Sequence, residues 1–347
     1  MEGKRFLVRT HCATYNQEHY IKDALQGFVM QETTFPVVYT ILDDASTDRN
    51  PVVIREFVND NFNLLDNSVA YEKDTDYGHV TFAQHKTNKN CYFAVIYLKE
   101  NLYRQKKSKA PYVKEWDDTK YIALCEGDDY WTDPLKLQKQ VDFLEEHEEY
   151  GFVGTNVRIK KADSFVEEPP MVSSGVVEGD FELLGDVFEY AKYGPLARTV
   201  SLLYRRELVL GYDKIGGDLV LESILAKHSK YAFYRSYACV YRTGVGISAV
   251  DDSLEKALWY NDWFVNCRRQ QNLFFPDDCN WSEDELDDRG GYIRIKYAIK
   301  QMSWKQAIRY KKTLKSNLYR NKPYSRFLWG PVSCLILRVM LKHRRHE

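Results

Sequence analysis

The sequence lacks the cysteine and histidine spacings that indicate a zinc site or a disulfide framework. Its seven cysteines are an odd number, and no two of them stand in a C-x-x-C pair. Several lie in apolar runs typical of buried strands, so we expect reduced, buried thiols in a cytosolic protein. None of the eight histidines is paired at metal-ligand spacing. These absences argue against a zinc-dependent enzyme and against a small secreted domain.

Long hydrophobic runs are also absent. No apolar stretch reaches the ~18 residues that a membrane-spanning helix needs. The nearest candidate, residues 327–341, is interrupted by a Gly-Pro pair and by Arg338. The apolar run at residues 6–8 is too short for the core of a signal peptide. We therefore expect a cytoplasmic protein, either soluble or peripheral on the inner face of the cell membrane.

Three familiar motifs are missing where their chemistry would need them. The sequence has no G-x-x-x-x-G-K-S/T loop for triphosphates and no G-x-S-x-G nucleophile turn. Gly244 and Gly246 are spaced like the start of G-x-G-x-x-G, but the third glycine and the helix do not follow. These absences disfavour a P-loop enzyme, a serine hydrolase of the α/β type and a dinucleotide-dependent enzyme.

Charge is unevenly distributed along the chain. The formal net charge is −1, yet residues 294–347 carry 15 Lys and Arg against a single acid, which leaves −15 for residues 1–293. The acidic main part argues against a nucleic-acid partner. The basic, partly apolar tail at residues 323–347 is typical of a segment that binds an anionic membrane surface. The alternative is a helix packed on the main domain with a solvated basic face.

Alternation of strand-like and helix-like runs predicts the fold class. A chain of 347 residues is too long for one small domain. Runs of the two types alternate every ~25–35 residues, which favours an α/β fold with a mostly parallel, Rossmann-like sheet flanked by helices. We predict one domain over residues 1–250, with halves at about 1–150 and 151–250, and a helical, basic appendage over 251–347.

Individual elements follow from apolar periodicity and from turn residues. The predicted strands include 6–13, 37–42, 67–71, 121–125, 151–160, 200–204 and 232–241. The predicted helices include 20–31, 51–61, 93–104, 179–193 and 219–228, and residues 106–118 are predicted to form a surface loop.

Two of the predicted buried strands end in pairs of aspartates. Asp43-Asp44 follows the strand at 37–42, and Glu126-Gly127-Asp128-Asp129 follows the strand at 121–125. Ligands of open α/β sheets bind at the carboxyl ends of such strands. Five acidic groups placed there would repel one another unless a cation or hydrogen-bond donors joined them. A hard divalent ion that carries a phosphate substrate meets that need, so we predict a site for Mn²⁺ or Mg²⁺.

With these motifs, the chain resembles glycosyltransferase family 2 over roughly residues 5–250. The resemblance rests on the motifs at 13–18, 41–48 and 125–129, which occur in the order and spacing of that family. It implies an inverting enzyme of the GT-A fold that moves a sugar from a UDP-sugar to a hydroxyl of a glycan or polyprenyl-linked acceptor. The Glu-Gly-Asp-Asp-Tyr-Trp version of the third motif is similar to bacterial members that build capsule, O-antigen or other surface polysaccharides.

The resemblance also implies roles for the nucleotide-binding residues. Asp44 would accept a hydrogen bond from the uracil ring, and Thr14 and Tyr15 would hold the same base. Asp129 would contact the metal, while Asp128 would bind the ribose or the waters of the metal. A structural alternative for the first pair is a strand-ending turn whose aspartates cap the next helix.

Four further residues each have more than one possible role. Glu126 stands where the family more often has aspartate, which leaves its role open. By resemblance Asp218 would be the general base for the acceptor hydroxyl, but a plain helix N-cap also fits it. Glu222 is the alternative base or a solvated helix residue. Arg242 would face the pyrophosphate, or it is an ordinary surface arginine.

Two other functions compete with glycosyl transfer. A nucleotidyltransferase of similar fold should have a Gly-rich, basic loop after the first strand, and residues 14–18 are neither. A non-catalytic protein that binds nucleotide sugars on the same fold is disfavoured by the intact acidic pairs.

Overall fold

The computed structural model describes residues 6–322, apart from 163, 174, 213, 247–252, 302 and 321. The chain divides into two compact units. The first unit contains the chain up to residue 214 together with 221–250, and the second contains 215–220 and the chain from 251 onward. The domain boundaries predicted from the sequence stay predictions. The basic tail at 323–347 lies outside the described residues.

A single sheet organises the first unit, and it has thirteen strands among the described residues. They are β1 (Val8–Thr14), β2 (Val37–Asp43), β3 (Ala70–Asp74), β4 (Gly78–Gln84), β5 (Cys91–Leu98), β6 (Tyr121–Leu124), β7 (Tyr130–Trp131), β8 (Tyr150–Lys161), β9 (Ser164–Glu168), β10 (Val176–Glu178), β11 (Phe181–Gly185), β12 (Leu203–Arg205) and β13 (Lys230–Arg242). The strand order is β10-β11-β13-β8-β12-β6-β1-β2-β5-β4-β3, with β7 beside β13 and β9 beside β8.

The centre of the sheet is parallel. Strands β6, β1, β2 and β5 are neighbours that all run in the same direction. Every residue of β2 is buried, as a strand covered on both faces requires. In the register of β1 and β2, Thr14 lies opposite Asp43, so both strands end at the same edge. The predicted α/β fold class is confirmed.

Helices cover this sheet. They are α1 (Ile21–Val29), α2 (Asn50–Asn61), α3 (Lys136–Glu146), α4 (Phe188–Ala191) and α5 (Asp218–His228), the last of which begins in the residues assigned to the second unit. Helix α1 packs against β7 so closely that a Cβ on Gly27 would lie 2.9 Å from the Trp131 backbone nitrogen. Phe28 and Tyr39 stack beside Trp131 in the main core.

Two predicted helices are wrong. Residues 93–104 begin in β5, whose eight residues are all buried between β2 and β4. A continuous apolar run cannot distinguish a buried strand from a buried helix by its period, because no polar face marks the repeat. Residues 179–193 form β11 and the four-residue α4 instead of one helix.

Residues 106–118 are more than a surface loop. A 3-10 helix spans Ala110–Trp116, and it buries Val113 and Trp116 against one face of the sheet. The preceding segment, residues 101–109, runs from the end of β5 toward the carboxyl edge of β2, where it contacts Asp44. We call residues 101–109 the strap.

Helices make up the second unit. They are α6 (Leu254–Phe274), α7 (Glu283–Lys300), α8 (Trp304–Thr313) and α9 (Asn317–Arg320). Ser282 and Glu285 form a capping box at the start of α7, and Ile295, Ile299 and Leu314 lie in a small core of their own. Among the residues that the structure describes, no helix is both long enough and apolar enough to cross a bilayer.

The predicted burial of the cysteines is confirmed for the described part of the chain. Six of the seven cysteines are described, and all six are buried. Burial raises the pKa of each thiol for which a shift is seen, including Cys125 and Cys239 below the carboxyl edge of the sheet. These thiols therefore stay protonated at neutral pH.

Candidate functional site

The loops that follow β1, β2 and β6 lie side by side at the carboxyl edge of the parallel strands. The backbone nitrogen of Asp44 donates to the carbonyl oxygen of Thr14 at 2.9 Å. On the other side of β1, the nitrogen of Gly127 donates to the carbonyl of Ala13 at 3.0 Å. Two short backbone bonds thus bring both acidic motifs to the end of one central strand.

Asp43 holds the loop after β2 in shape. Its Oδ1 accepts hydrogen bonds from Ser46 Oγ at 2.5 Å and from Asn50 Nδ2 at 2.7 Å, and its Oδ2 accepts from the Ser46 backbone at 3.2 Å. Burial raises the pKa of Asp43, while the bonds from Ser46 and Asn50 act in the opposite direction. With all of its bonds made inside its own loop, Asp43 has a structural role at the start of α2.

Asp44 is held by the strap. Its Oδ1 accepts from the Leu102 nitrogen at 2.7 Å, and its Oδ2 accepts from the Tyr103 nitrogen at 3.1 Å. Lys109 Nζ lies 3.5 Å from the same Oδ2. The residue is only 2% exposed. Both oxygens therefore have donors from this chain, and the strap covers the carboxylate.

Tyr15 lies beside the strap as well. The Arg104 guanidinium stands over the Tyr15 ring, 5.6 Å from its centroid. The turn that carries Tyr15 is tied to the loop after β2, because Thr47 donates its backbone N–H to Asn16 Oδ1 at 2.8 Å. Thr14 Oγ1 donates to Asn50 Oδ1 at 3.3 Å. The structure thus brings Thr14, Tyr15 and the strap together around Asp44.

Asp129 is a buried carboxylate with two acidic neighbours at this edge. It is 4% exposed, and its Oδ1 accepts a hydrogen bond from the Arg242 backbone nitrogen at 2.8 Å. Burial raises the pKa of Asp129 well above its usual range, and the nearby charges of Asp128 and Glu126 raise it further. A divalent cation would relieve the same repulsion.

Asp128 is less deeply placed than Asp129. Burial raises the pKa of Asp128, whereas the charge of Arg242 and a hydrogen bond from the Gln17 side chain act in the opposite direction. Glu126, the first acid of this motif, is half-buried, and its carbonyl accepts from the Asp129 nitrogen at 3.1 Å. The turn thus brings all three acids of the motif to one place.

Arg242 fixes this acidic turn from the end of β13. Its Nη1 donates to the Asp128 carbonyl at 2.6 Å, and its Nη2 pairs with Asp23. The guanidinium also lies between two rings, 5.2 Å from Tyr20 and 4.6 Å from Tyr130. At 5% exposed it is a buried residue, so the interpretation as an ordinary surface arginine is wrong. Its partners Asp23 and Tyr20 lie on and just before α1, where no sequence pattern singled them out.

Asp218 belongs to the second unit, at the first residue of α5. Its Oδ1 accepts from the Leu219 nitrogen at 2.9 Å, as a helix-starting aspartate can. Two glycines precede it. The backbone nitrogen of Gly216 donates to Gln270 Oε1 at 2.8 Å, and Gly217 has a φ of +150°, which favours glycine. A Cβ on Gly217 would lie 2.8 Å from the Trp263 ring nitrogen. These contacts place Asp218 at the start of α5 and leave the role of general base a prediction.

Glu222 is not a solvated helix residue, and that interpretation is wrong. It is 0% exposed, and its Oε2 accepts a hydrogen bond from the Leu196 nitrogen. Tyr231, whose pKa is raised by burial and then by the charge of Glu222, lies close by. Glu222 lies in the core because its neighbours along α5, such as Leu221 and Leu225, are apolar and buried.

Comparison with known proteins shows the fold and leaves the activity open. No family model matches the chain. The uncharacterized protein Rv1520 of Mycobacterium tuberculosis and Mb1547 of Mycobacterium bovis are each 34% identical over 211 residues, or 60% of this chain. That match spans 49% of each relative, so the chain covers about half the length of the curated proteins it matches.

Solved structures give a likeness over nearly the whole chain. TarS 1–349 of S. aureus in complex with UDP-GlcNAc is 13% identical, with a TM-score of 0.50 that covers 98% of this chain and 92% of that one. A mannosyltransferase of Pyrobaculum calidifontis in complex with GDP-Man and Mn²⁺ is 14% identical with a TM-score of 0.45. At these identities, the likeness to TarS shows a shared fold.

Proposed function

We propose that this protein is an inverting glycosyltransferase that uses a UDP-sugar and a divalent ion. The observation that carries the proposal is the buried acidic turn at Asp128 and Asp129, on the same edge as Thr14, Tyr15 and Asp44. Burial, and then repulsion from Asp128 and Glu126, raises the pKa of Asp129. The shared fold with TarS, solved with UDP-GlcNAc, supports a nucleotide-sugar donor.

The residues present fit a hard cation. Asp129 and Asp128 offer carboxylate oxygens, the ligand type that Mn²⁺ and Mg²⁺ prefer. In the described part of the chain, no three His, Cys, Asp or Glu side chains are grouped to hold a metal by themselves. A cation here would therefore share its ligands with donor phosphates and water. When bound, it would offset the negative charge that develops on the leaving diphosphate.

The remaining steps of the transfer are assigned to residues of the protein. Asp218 takes the proton from the acceptor hydroxyl, whose oxygen forms a bond to the anomeric carbon on the face opposite UDP. The bond from that carbon to the diphosphate oxygen breaks, and UDP leaves with the electron pair. Arg242 positions the acidic turn through its bond to the Asp128 carbonyl. Its charge would attract the phosphates of the donor.

Nucleobase binding falls to Asp44 and the turn after β1. Tyr15 and Thr14 hold the uracil, and Asp44 accepts its N–H. Because the strap covers the Asp44 carboxylate, its backbone contacts at Leu102 and Tyr103 must loosen when the base binds. Hydrogen exchange measures this directly: we expect the amides of Leu102 and Tyr103 to exchange faster with UDP bound, and slower exchange there would remove Asp44 from the base site.

The acceptor is a hydroxyl of a glycan or of a polyprenyl-linked sugar, in the synthesis of a bacterial surface polysaccharide. The basic tail at residues 323–347 would place the enzyme on an anionic membrane beside such a lipid. Deletion of 323–347 should lower sedimentation with vesicles rich in phosphatidylglycerol and leave UDP binding unchanged. Equal sedimentation of both forms would remove the membrane role.

A panel of nucleotide sugars tests the function as a whole. UDP-sugars with Mn²⁺ should raise the unfolding temperature by mass action and should be slowly hydrolysed, since water can replace the acceptor. A non-catalytic binding protein would show the thermal shift without hydrolysis. A nucleotidyltransferase would release pyrophosphate from a nucleoside triphosphate and a sugar phosphate.

A further inference from the structure

Two neighbouring aromatic side chains are exposed near the start of α6. Trp259 is 40% exposed and Tyr260 is 39% exposed. Their ring centroids are 5.0 Å apart and their planes meet at 78°, so the edge of one ring points toward the face of the other. We call this pair the aromatic corner. Contiguous exposed apolar surface is typical of a binding site, whereas single exposed rings are ordinary.

The aromatic corner lies on the helix that holds the chain next to Asp218. A Cβ on Gly217 would lie 2.8 Å from Nε1 and 3.1 Å from Cζ2 of Trp263, so the edge of that indole ring lies against the backbone before Asp218. Trp259 precedes Trp263 by four residues, which places both on one face of α6, one turn or about 5.4 Å apart. Asp218, Trp259 and Trp263 all belong to the second unit. The aromatic corner is therefore one helical turn from the ring that borders the proposed general base.

The surroundings of Trp259 favour a sugar over an apolar occupant. Its neighbours one turn away on the helix include Glu255, Lys256 and Asp262, and both acids are exposed. Lys256 Nζ also lies 5.7 Å from the centroid of the Tyr260 ring. A sugar ring has C–H groups on its face and hydroxyls at its rim, so it can cover an aromatic ring while it hydrogen-bonds to charged groups beside it. A lipid chain, or a second copy of this chain, would instead bury these charges in an apolar contact.

We propose that the aromatic corner binds a sugar ring of the acceptor, an inference that rests on the proposed function. The reacting hydroxyl has to reach the Asp218 carboxylate, because the base must lie within hydrogen-bond reach of the proton that it takes. A sugar stacked on Trp259 would hold the acceptor on the same face of α6 and keep that hydroxyl in place. The acceptor is then a glycan, or a lipid that already carries a sugar, and not a lipid alcohol or lipid phosphate alone.

Transfer to simple glycosides tests this assignment. The probes are the methyl glycosides of glucose, galactose and N-acetylglucosamine at low concentration, with Mn²⁺ and the UDP-sugar that the full chain hydrolyses fastest. The measured quantity is the ratio of sugar transferred to the glycoside to sugar released to water. We expect Trp259→Leu to lower this ratio about tenfold, which corresponds to about 1.4 kcal/mol. Trp259→Phe should stay within about threefold of the wild type, because a ring remains to stack. The control is Tyr190→Leu, which removes a 60% exposed ring of the first unit.

The other outcomes overturn the inference in distinguishable ways. An unchanged ratio for Trp259→Leu, or an equal loss with Tyr190→Leu, would show that the aromatic corner binds no acceptor sugar. Equal losses for Trp259→Leu and Trp259→Phe would show that stacking on a ring is not the interaction lost. Should the Trp259 variants fail to fold, Tyr260→Leu must lower the ratio and Tyr260→Phe must keep it, and any other result overturns the inference. Hydrolysis by the wild type without transfer to any glycoside would overturn the inference alone, whereas neither hydrolysis nor UDP binding would overturn the proposed function as well.

Discussion

The two acidic pairs of this protein look alike in sequence and differ in structure. At the end of β2, the carboxylates of Asp43 and Asp44 accept hydrogen bonds from their own chain on all four oxygens, and both residues are buried. In the turn after β6, Asp128 and Asp129 have fewer donors, and Asp129 is repelled by two neighbouring acids.

This difference assigns the pairs different tasks. A carboxylate whose bonds are made within the fold stabilises that fold, so without a nucleotide the first pair shapes the loops and holds the strap. Carboxylates that repel one another in a buried turn are costly without a cation, so the second pair is suited to bind one. The predictions below are ordered from the largest expected effect to the smallest.

Asp129→Asn should have the largest effect on activity. Loss of one charge from the cation position should lower Mn²⁺-dependent hydrolysis of the UDP-sugar by about 100-fold or more, the scale on which loss of transition-state charge stabilisation acts. The measurement is the initial rate of UDP release, with the exposed Asp142→Asn as control. A normal rate for Asp129→Asn would assign the two pairs the same structural role.

Asp218→Asn should lower sugar transfer to an acceptor by about 100- to 10,000-fold, because general-base catalysis contributes on that scale. The Kd of UDP should stay unchanged, since the residues proposed to bind the nucleotide belong to the first unit. Isothermal titration with UDP and a transfer assay measure the two quantities on one preparation. Near-normal transfer would leave Asp218 a helix cap.

Asp44→Asn should destabilise the fold by about 1–3 kcal/mol, because an amide has one acceptor oxygen for two backbone donors. The NH₂ group would then face the N–H of Leu102 or Tyr103. Denaturant unfolding without metal measures the loss.

Asp129→Asn should instead raise the free energy of unfolding at neutral pH, since it removes a repelled charge and keeps an oxygen for the Arg242 nitrogen. If both variants destabilised the fold equally, the two acidic pairs would not differ in their contribution to stability.

The pH dependence of stability should show the same contrast with a smaller effect. The pKa of Asp129 is raised in the folded state, so its contribution to stability is fully present below its unfolded value of 3.8 and is lost as the pH rises through the folded pKa. Without metal, the wild type should therefore be less stable than Asp129→Asn at pH 8, with a gap that narrows toward acid. Mn²⁺ should stabilise the wild type more at pH 8 than at pH 5, because binding requires the ionised carboxylate. Thermal unfolding at several pH values measures both trends.

The sequence predicted the parts of the site that depend on local patterns. Buried apolar runs followed by acids identified β2 and β6, and the topology of parallel strands predicted that their ends share an edge. The strap was not predicted, because Leu102 and Tyr103 are nearly sixty residues from Asp44 along the chain and donate only backbone N–H groups. Gln17 was not predicted either, because its place beside Gly127 of the acidic turn depends on tertiary packing.

Binding of UDP to the wild type and to Asp129→Asn, each in Mn²⁺ and in excess chelator, tests the central claim most directly. The claim is that the turn after β6 holds the nucleotide through a divalent ion. We predict that chelation weakens UDP binding to the wild type by at least about tenfold, a difference of about 1.4 kcal/mol, and that Asp129→Asn in Mn²⁺ binds UDP as weakly as the chelated wild type. Equal affinity of the wild type for UDP with and without the ion would contradict it.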